Sequence, residues 1–133
     1  MDPIEKICSG EVALCYIVRS SLLPQATQFL TPPEFNLQVG YIVHPQGHEI
    51  ARHVHSRVER RLETTSEVLV VKQGQCEIDV YDDSHVLVAT RELRVGDVMI
   101  MVGGGHGFRM IEDTVLLEIK QGPFIGADQK ETF

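Results

Sequence analysis

Short runs rich in Val, Ile and Leu recur along residues 38–120, separated by a turn signal about every ten residues. They cover 38–43, 66–72, 75–81, 84–90, 97–102, 106–111 and 114–120. Between them stand Pro45-Gln46-Gly47, Gly74, Asp82-Asp83, Gly96-Asp97, Gly103-Gly104-Gly105 and Glu112-Asp113, with Gly122-Pro123 after the last. Glycine, proline and aspartate stop a regular element because they favour backbone angles or local hydrogen bonds that ladders and helices do not use. A chain stopped this often has little room for long helices. Its β-branched segments are the right length for antiparallel strands in a sandwich or barrel. Within 75–81, Cys76, Ile78 and Val80 alternate with Glu77, Asp79 and Tyr81, so one face of that strand is dry. Segment 11–18 is a further predicted strand. The only helical stretch to consider is 20–30, and Pro24 breaks it.

The 133 residues suffice for one domain. An N-terminal strand and extended arm over 1–37, with Pro32-Pro33 near its end, would lead into a barrel core over 38–120 and a tail over 121–133. Nineteen acids against twelve bases give a formal charge of −7, which repels phosphate backbones and argues against nucleic-acid binding. No apolar stretch is long enough to span a bilayer, and the first residues carry no basic segment followed by an apolar run, so neither a membrane anchor nor a signal peptide is expected. Three cysteines without a CxxC pair read as reduced thiols of a cytoplasmic protein.

His53 and His55 stand two apart, and on a strand both imidazoles would face the same way. Such a pair is half of a metal site, since each ring offers a neutral nitrogen to a divalent ion. Glu67 opens the apolar run ending at Gly74, and His106 follows three glycines at the head of another strand. Three imidazoles and a carboxylate meeting inside a barrel would bind one first-row transition ion and leave positions for water, substrate or dioxygen.

These residues give the chain its resemblance to the cupin superfamily. Gly47, His53, His55, Glu67 and Gly74 match the places of the first cupin motif, with eleven residues between His55 and Glu67 where three or four are usual. Gly96, Gly104 and His106 match the second motif with one residue dropped, Val102 standing for its proline and Met110 for its asparagine. The resemblance spans about residues 38–120 and implies an all-β double-stranded β-helix, the jelly-roll barrel. It assigns the carboxylate ligand to Glu67, with Glu59 and Glu63 as rivals, and leaves the ion open among Fe, Mn, Ni, Co and Zn. It implies isomerase-type or dioxygenase-type chemistry on a small polar or anionic metabolite, such as a sugar or sugar nucleotide. The alternative is a non-catalytic binding or regulatory cupin. A metal-free epimerase with His53 as base is a third reading, and it lacks an evident carboxylate partner for that histidine.

Around this centre, Glu59 and Glu63 are candidates for moving a proton. Arg57 and Arg60 lie in a basic cluster that would draw in a carboxylate or phosphate, or would pair with Glu59 and Glu63. Tyr41 and Phe108 are candidate pocket walls, Glu118 and Lys120 share one face of the last strand, and His44, His48 and His85 sit at turns in water. Cupins are commonly dimers, and the strand at 11–18 is where a second copy would add to the sheet.

Overall fold

The computed structural model describes residues 2–126 and 130–133, and among them every helix or strand assigned is a strand. In chain order these are β1 (Ile4–Ser9), β2 (Val12–Val18), β3 (Gln28–Phe29), β4 (Gly40–Tyr41), β5 (Glu67–Gln73), β6 (Gln75–Tyr81), β7 (Leu87–Arg94), β8 (Val98–Met101), β9 (Gly105–Met110) and β10 (Val115–Lys120). The described residues thus contain no helix long and apolar enough to cross a membrane. Two compact units divide the chain, one built from Met1–Leu22 with Thr64–Phe133 and the other from Leu23–Glu63.

In the first unit, a five-stranded sheet runs β1-β2-β8-β5-β10 and a three-stranded sheet runs β7-β6-β9. Every pairing is antiparallel. Alternation decides what lies between them. Ile7, Leu14, Cys15, Ile17, Leu69, Val71, Met99 and Met101 from the larger sheet meet Cys76, Ile78, Val80 and Leu93 from the smaller one in a single buried cluster. The chain crosses from sheet to sheet at Gly74, the one residue between β5 and β6. Its φ of 83° lies in the left-handed region, and a Cβ there would run into the Asp113 carbonyl, so only glycine makes this crossing without strain.

Polar ties reinforce the sandwich. Arg91 on β7 grips Glu5 on β1, with Nη2 2.7 Å from Oε2, so the ion pair links the two sheets. Asp97 is 4% exposed, and its carboxylate accepts the backbone N–H groups of Ser20 and Arg94, both at 2.9 Å. It also accepts Arg19 Nη1 at 3.0 Å. Three donors offset the cost of burying that charge.

The second unit holds a small ribbon, β3 against β4, in the register Gln28 to Tyr41 and Phe29 to Gly40. Beside it the Gln38 amide Nε2 donates to the carbonyls of Pro32 and Phe35, each at 2.8 Å. No strand forms among residues 42–63.

The all-β expectation holds, and the run 75–81 is β6 to the residue. The stretch 20–30 is not helical, and its Gln28–Phe29 end is β3. The run 84–90 starts its strand only at Leu87, because Asp82 holds residues 82–86 in a turn, its Oδ1 accepting the N–H groups of Ser84 at 2.8 Å and Val86 at 3.0 Å. Segment 11–18 is β2 and pairs on both sides, with β1 and β8, so it offers no free edge to a second copy. The edges of that sheet are β1 and β10.

Candidate functional site

The inner faces of the two sheets change character at one end of the sandwich. On β5 the inward residues run Val71, Leu69, Glu67. On β10, which pairs with β5, they run Leu116, Glu118, Lys120, with Leu116 opposite Val71 and Lys120 opposite Glu67. On β9, Phe108 pairs with Ile78 and His106 with Val80. One alternating row on each strand therefore supplies the apolar core at one end and ionisable groups at the other. The polar end opens into a cavity of about 800 Å³, lined by Glu67, His106, Phe108, Glu118 and Lys120 among others.

At its centre, His106 Nε2 lies 2.7 Å from Glu67 Oε1, with the two side chains only 28% and 11% exposed. The His106 hydrogen bond does most to hold the Glu67 carboxyl down, to about 2; burial opposes it, and Glu118 and Lys120 lower it further. Glu118 moves the other way. Its carboxyl is raised by its hydrogen bond to Glu67, by burial and by the Glu67 charge. The two neighbouring carboxyls are thus shifted in opposite directions, Glu67 down beside the imidazole and Glu118 up beside the Glu67 charge.

The glycines before His106 shape this wall. Gly104 has φ of 64°, and a Cβ on it would collide with the Tyr81 carbonyl and stand 2.9 Å from Leu14 Cδ2. The chain approaches the neighbouring strand end closely enough that a side chain has no place, and His106 follows directly onto β9.

Glu67, His106 and Phe108 are therefore brought to one cavity in the first unit. His53, His55, Glu59, Glu63, Arg57, Arg60 and Tyr41 belong to the second unit. His53 and His55 are exposed in a segment without a strand, so the pleat that would have aligned them is absent. Their rings still meet edge to face with centroids 5.2 Å apart, and His53 Nδ1 lies 2.7 Å from the Ala51 carbonyl oxygen. Glu59, Arg57 and Arg60 are exposed, Arg61 Nη2 approaches Glu63 Oε1 at 3.4 Å, and Tyr41 is half-buried on β4. Among the described residues, no three His, Cys, Asp or Glu side chains are grouped as a metal ion would require. Glu67 and His106 alone supply one oxygen and one nitrogen donor side by side.

Glu118 and Lys120, which share one face of the last strand, both line the cavity. Their signal was their two-residue spacing from Leu116 along β10. Tyr81 and Phe133 also reach it and were not anticipated. Arg109 points away from His106 and holds Asp79, its Nη1 2.6 Å from Oδ2. Cys15 and Cys76 are core residues, and burial pushes the Cys15 thiol up to about 12.

No family model matches this chain, and neither a curated protein nor a solved structure does.

Proposed function

We propose that this chain is a cupin-type jelly roll acting as an isomerase or epimerase on a small polar or anionic metabolite. Glu67 and His106 handle the proton, and Lys120 attracts the negative charge. The observation that carries this reading is the 2.7 Å contact between imidazole and carboxylate inside a cavity of about 800 Å³. Isomerising a hydroxy-carbonyl compound requires a base to take the proton from the carbon next to the carbonyl and an acid to return a proton to the enediolate. With its Nε2–H donated to Glu67, His106 carries its lone pair on Nδ1 and is the base that takes the proton; the imidazolium so formed is the acid that returns it, with Glu118 beside the pair in the same cavity. The carboxylate stabilises the imidazolium formed in between, as an ion pair shielded from water.

A metal-assisted form of the same reading is supported by the oxygen and nitrogen donors that Glu67 and His106 place side by side. In this form Glu67 and His106 are two of the ligands of one divalent ion, Fe, Mn, Ni, Co or Zn. The ion would polarise the substrate carbonyl or, if redox-active, support oxygenation.

The test is solvent deuterium exchange. Hydroxy-carbonyl sugars and 2-hydroxy and 2-keto acids are incubated with the protein in D2O, metal-free and with each ion in turn, and followed by proton NMR. One compound class should lose its signal at the carbon next to the carbonyl. His106→Gln and Glu67→Gln should each slow the exchange by about a hundredfold or more. Exchange only in the presence of one ion would select the metal-assisted form, and absence of exchange under every condition would overturn both.

A further inference from the structure

Tyr81, His85 and Gly105 form a slot that already holds an aromatic ring. The ring of Phe133 lies flat against the His85 imidazole, with centroids 4.0 Å apart and planes 10° apart. Tyr81 meets the same ring edge-on, at 5.0 Å and 88°. On a third side there is only backbone, since a Cβ on Gly105 would stand 3.1 Å from Cε1 and Cζ of Phe133. Stacked and edge-to-face contacts together are the arrangement the aromatic quadrupole favours.

Two observations set this slot apart from ordinary packing. Phe133 remains 61% exposed, so burial contributes little to holding the ring there. His85 is the only non-glycine residue at positive φ among the described residues, at 64°, in a turn position that glycine would occupy without strain. The hydrogen bonds of the Asp82 turn hold His85 in that conformation and so present its flat ring at a fixed place. Tyr81, Gly105 and Phe133 also line the cavity that holds Glu67 and His106, with His85 behind the Phe133 ring, and Lys120 and Lys130 stand on the same lining beside Glu67, Glu118 and Glu131.

We propose that this slot is the subsite for a planar ring on the ligand, and that Phe133 occupies it until the ligand arrives. The ligand is then a small aromatic acid, its ring stacked on His85 against Tyr81 and Gly105 and its anionic group drawn to the two lysines. This assignment rests on the reading of the cavity as a small-ligand site, and it narrows the metabolite to one that carries a ring.

Phenylacetate and its saturated counterpart cyclohexylacetate separate stacking from simple hydrophobic contact. Binding of each is measured by NMR titration of the wild type, Phe133→Leu, and Phe133→Leu combined with His85→Gly. Removing a tethered competitor should tighten phenylacetate binding about tenfold in Phe133→Leu. Cyclohexylacetate should bind that variant at least about fivefold more weakly, and His85→Gly should cancel most of the gain. His85→Gly relieves the turn rather than straining it, so a loss of binding cannot be ascribed to misfolding. Equal phenylacetate affinity in wild type and Phe133→Leu would overturn the proposal. So would equal affinity for the two acids, and if either still shifts Glu67 and His106, the cavity stands as a ligand site without a ring subsite. If neither acid binds, the ring subsite falls, and the deuterium exchange assay decides alone whether the cavity reading falls with it.

Discussion

Replacing Glu67 with glutamine keeps the shape of the side chain and removes its charge, which isolates what the carboxylate contributes to its hydrogen bond with His106. A carboxyl that falls from 4.5 to about 2 on folding gains about 3 kcal/mol of stability from its ionised form. Little solvent screening reduces that figure, because the side chain is 11% exposed. Glu118 does reduce it: its raised carboxyl stabilises the fold at low pH and loses that contribution as pH rises. An uncharged amide at this position would free Glu118 from the neighbouring charge, so the net cost of Glu67→Gln at neutral pH is about 2 kcal/mol. The sign follows from the lowered carboxyl. The Glu67 contribution is complete above the unfolded value of 4.5 and disappears as pH falls towards about 2. Urea unfolding followed by circular dichroism suits a chain without tryptophan. At pH 7 the variant should be the less stable by about 2 kcal/mol, and at pH 3 the gap should shrink by at least about 1 kcal/mol. A gap of the same size at both pH values, or a variant more stable at pH 7, would refute the stabilised Glu67 carboxylate.

Two further outcomes follow from the geometry. Asp97→Asn leaves the carboxylate's three donors facing a weaker acceptor in a buried place; it should cost about 2 to 3 kcal/mol, read as a lower urea midpoint with unchanged slope. Gly104→Ala forces a Cβ towards the Tyr81 carbonyl at a φ of 64°. It should cost about 3 kcal/mol and broaden the His106 imidazole signals in NMR, whereas Ala at the unobstructed Gly107 should leave them unchanged.

How much of this was legible in the sequence depended on whether a signal was local. β6 read clearly because Cys76, Ile78 and Val80 alternate without interruption and a bare Gly74 precedes them. β1 did not, because Ile4–Ser9 places Ile4, Lys6 and Cys8 on one side and Glu5, Ile7 and Ser9 on the other, giving neither face a uniform character. Glu5 belongs there only because Arg91, far along the chain, receives it. Glu67 and His106 were visible as an apolar-run carboxylate and a post-glycine histidine. The motif spacing also named His53 and His55, whose alignment required a strand that the segment does not form. Lys120 and Glu118 were readable as face-mates but not as cavity residues, since that depends on the β5–β10 register. The stacking of Phe133 on His85 had no signal in the spacing, because it joins residues from a turn and from beyond the last strand.

The order of the strands also dictates when the larger sheet can exist. During synthesis β5 emerges as a bare apolar ribbon, and its neighbours, β8 and β10, come from residues 98–101 and 115–120. β2 likewise waits for β8, with Tyr16 opposite Ile100. Among the strands of the first unit, only β1 with β2 and β6 with β7 pair across short connections. The two hairpins are thus the pieces that can form while the chain is still growing, and the rest is a late, high-contact-order event. Val68–Val71 spends that interval with both backbone edges unpaired, and this four-residue stretch is where a crowded, half-made chain is most exposed to pairing with another copy of itself.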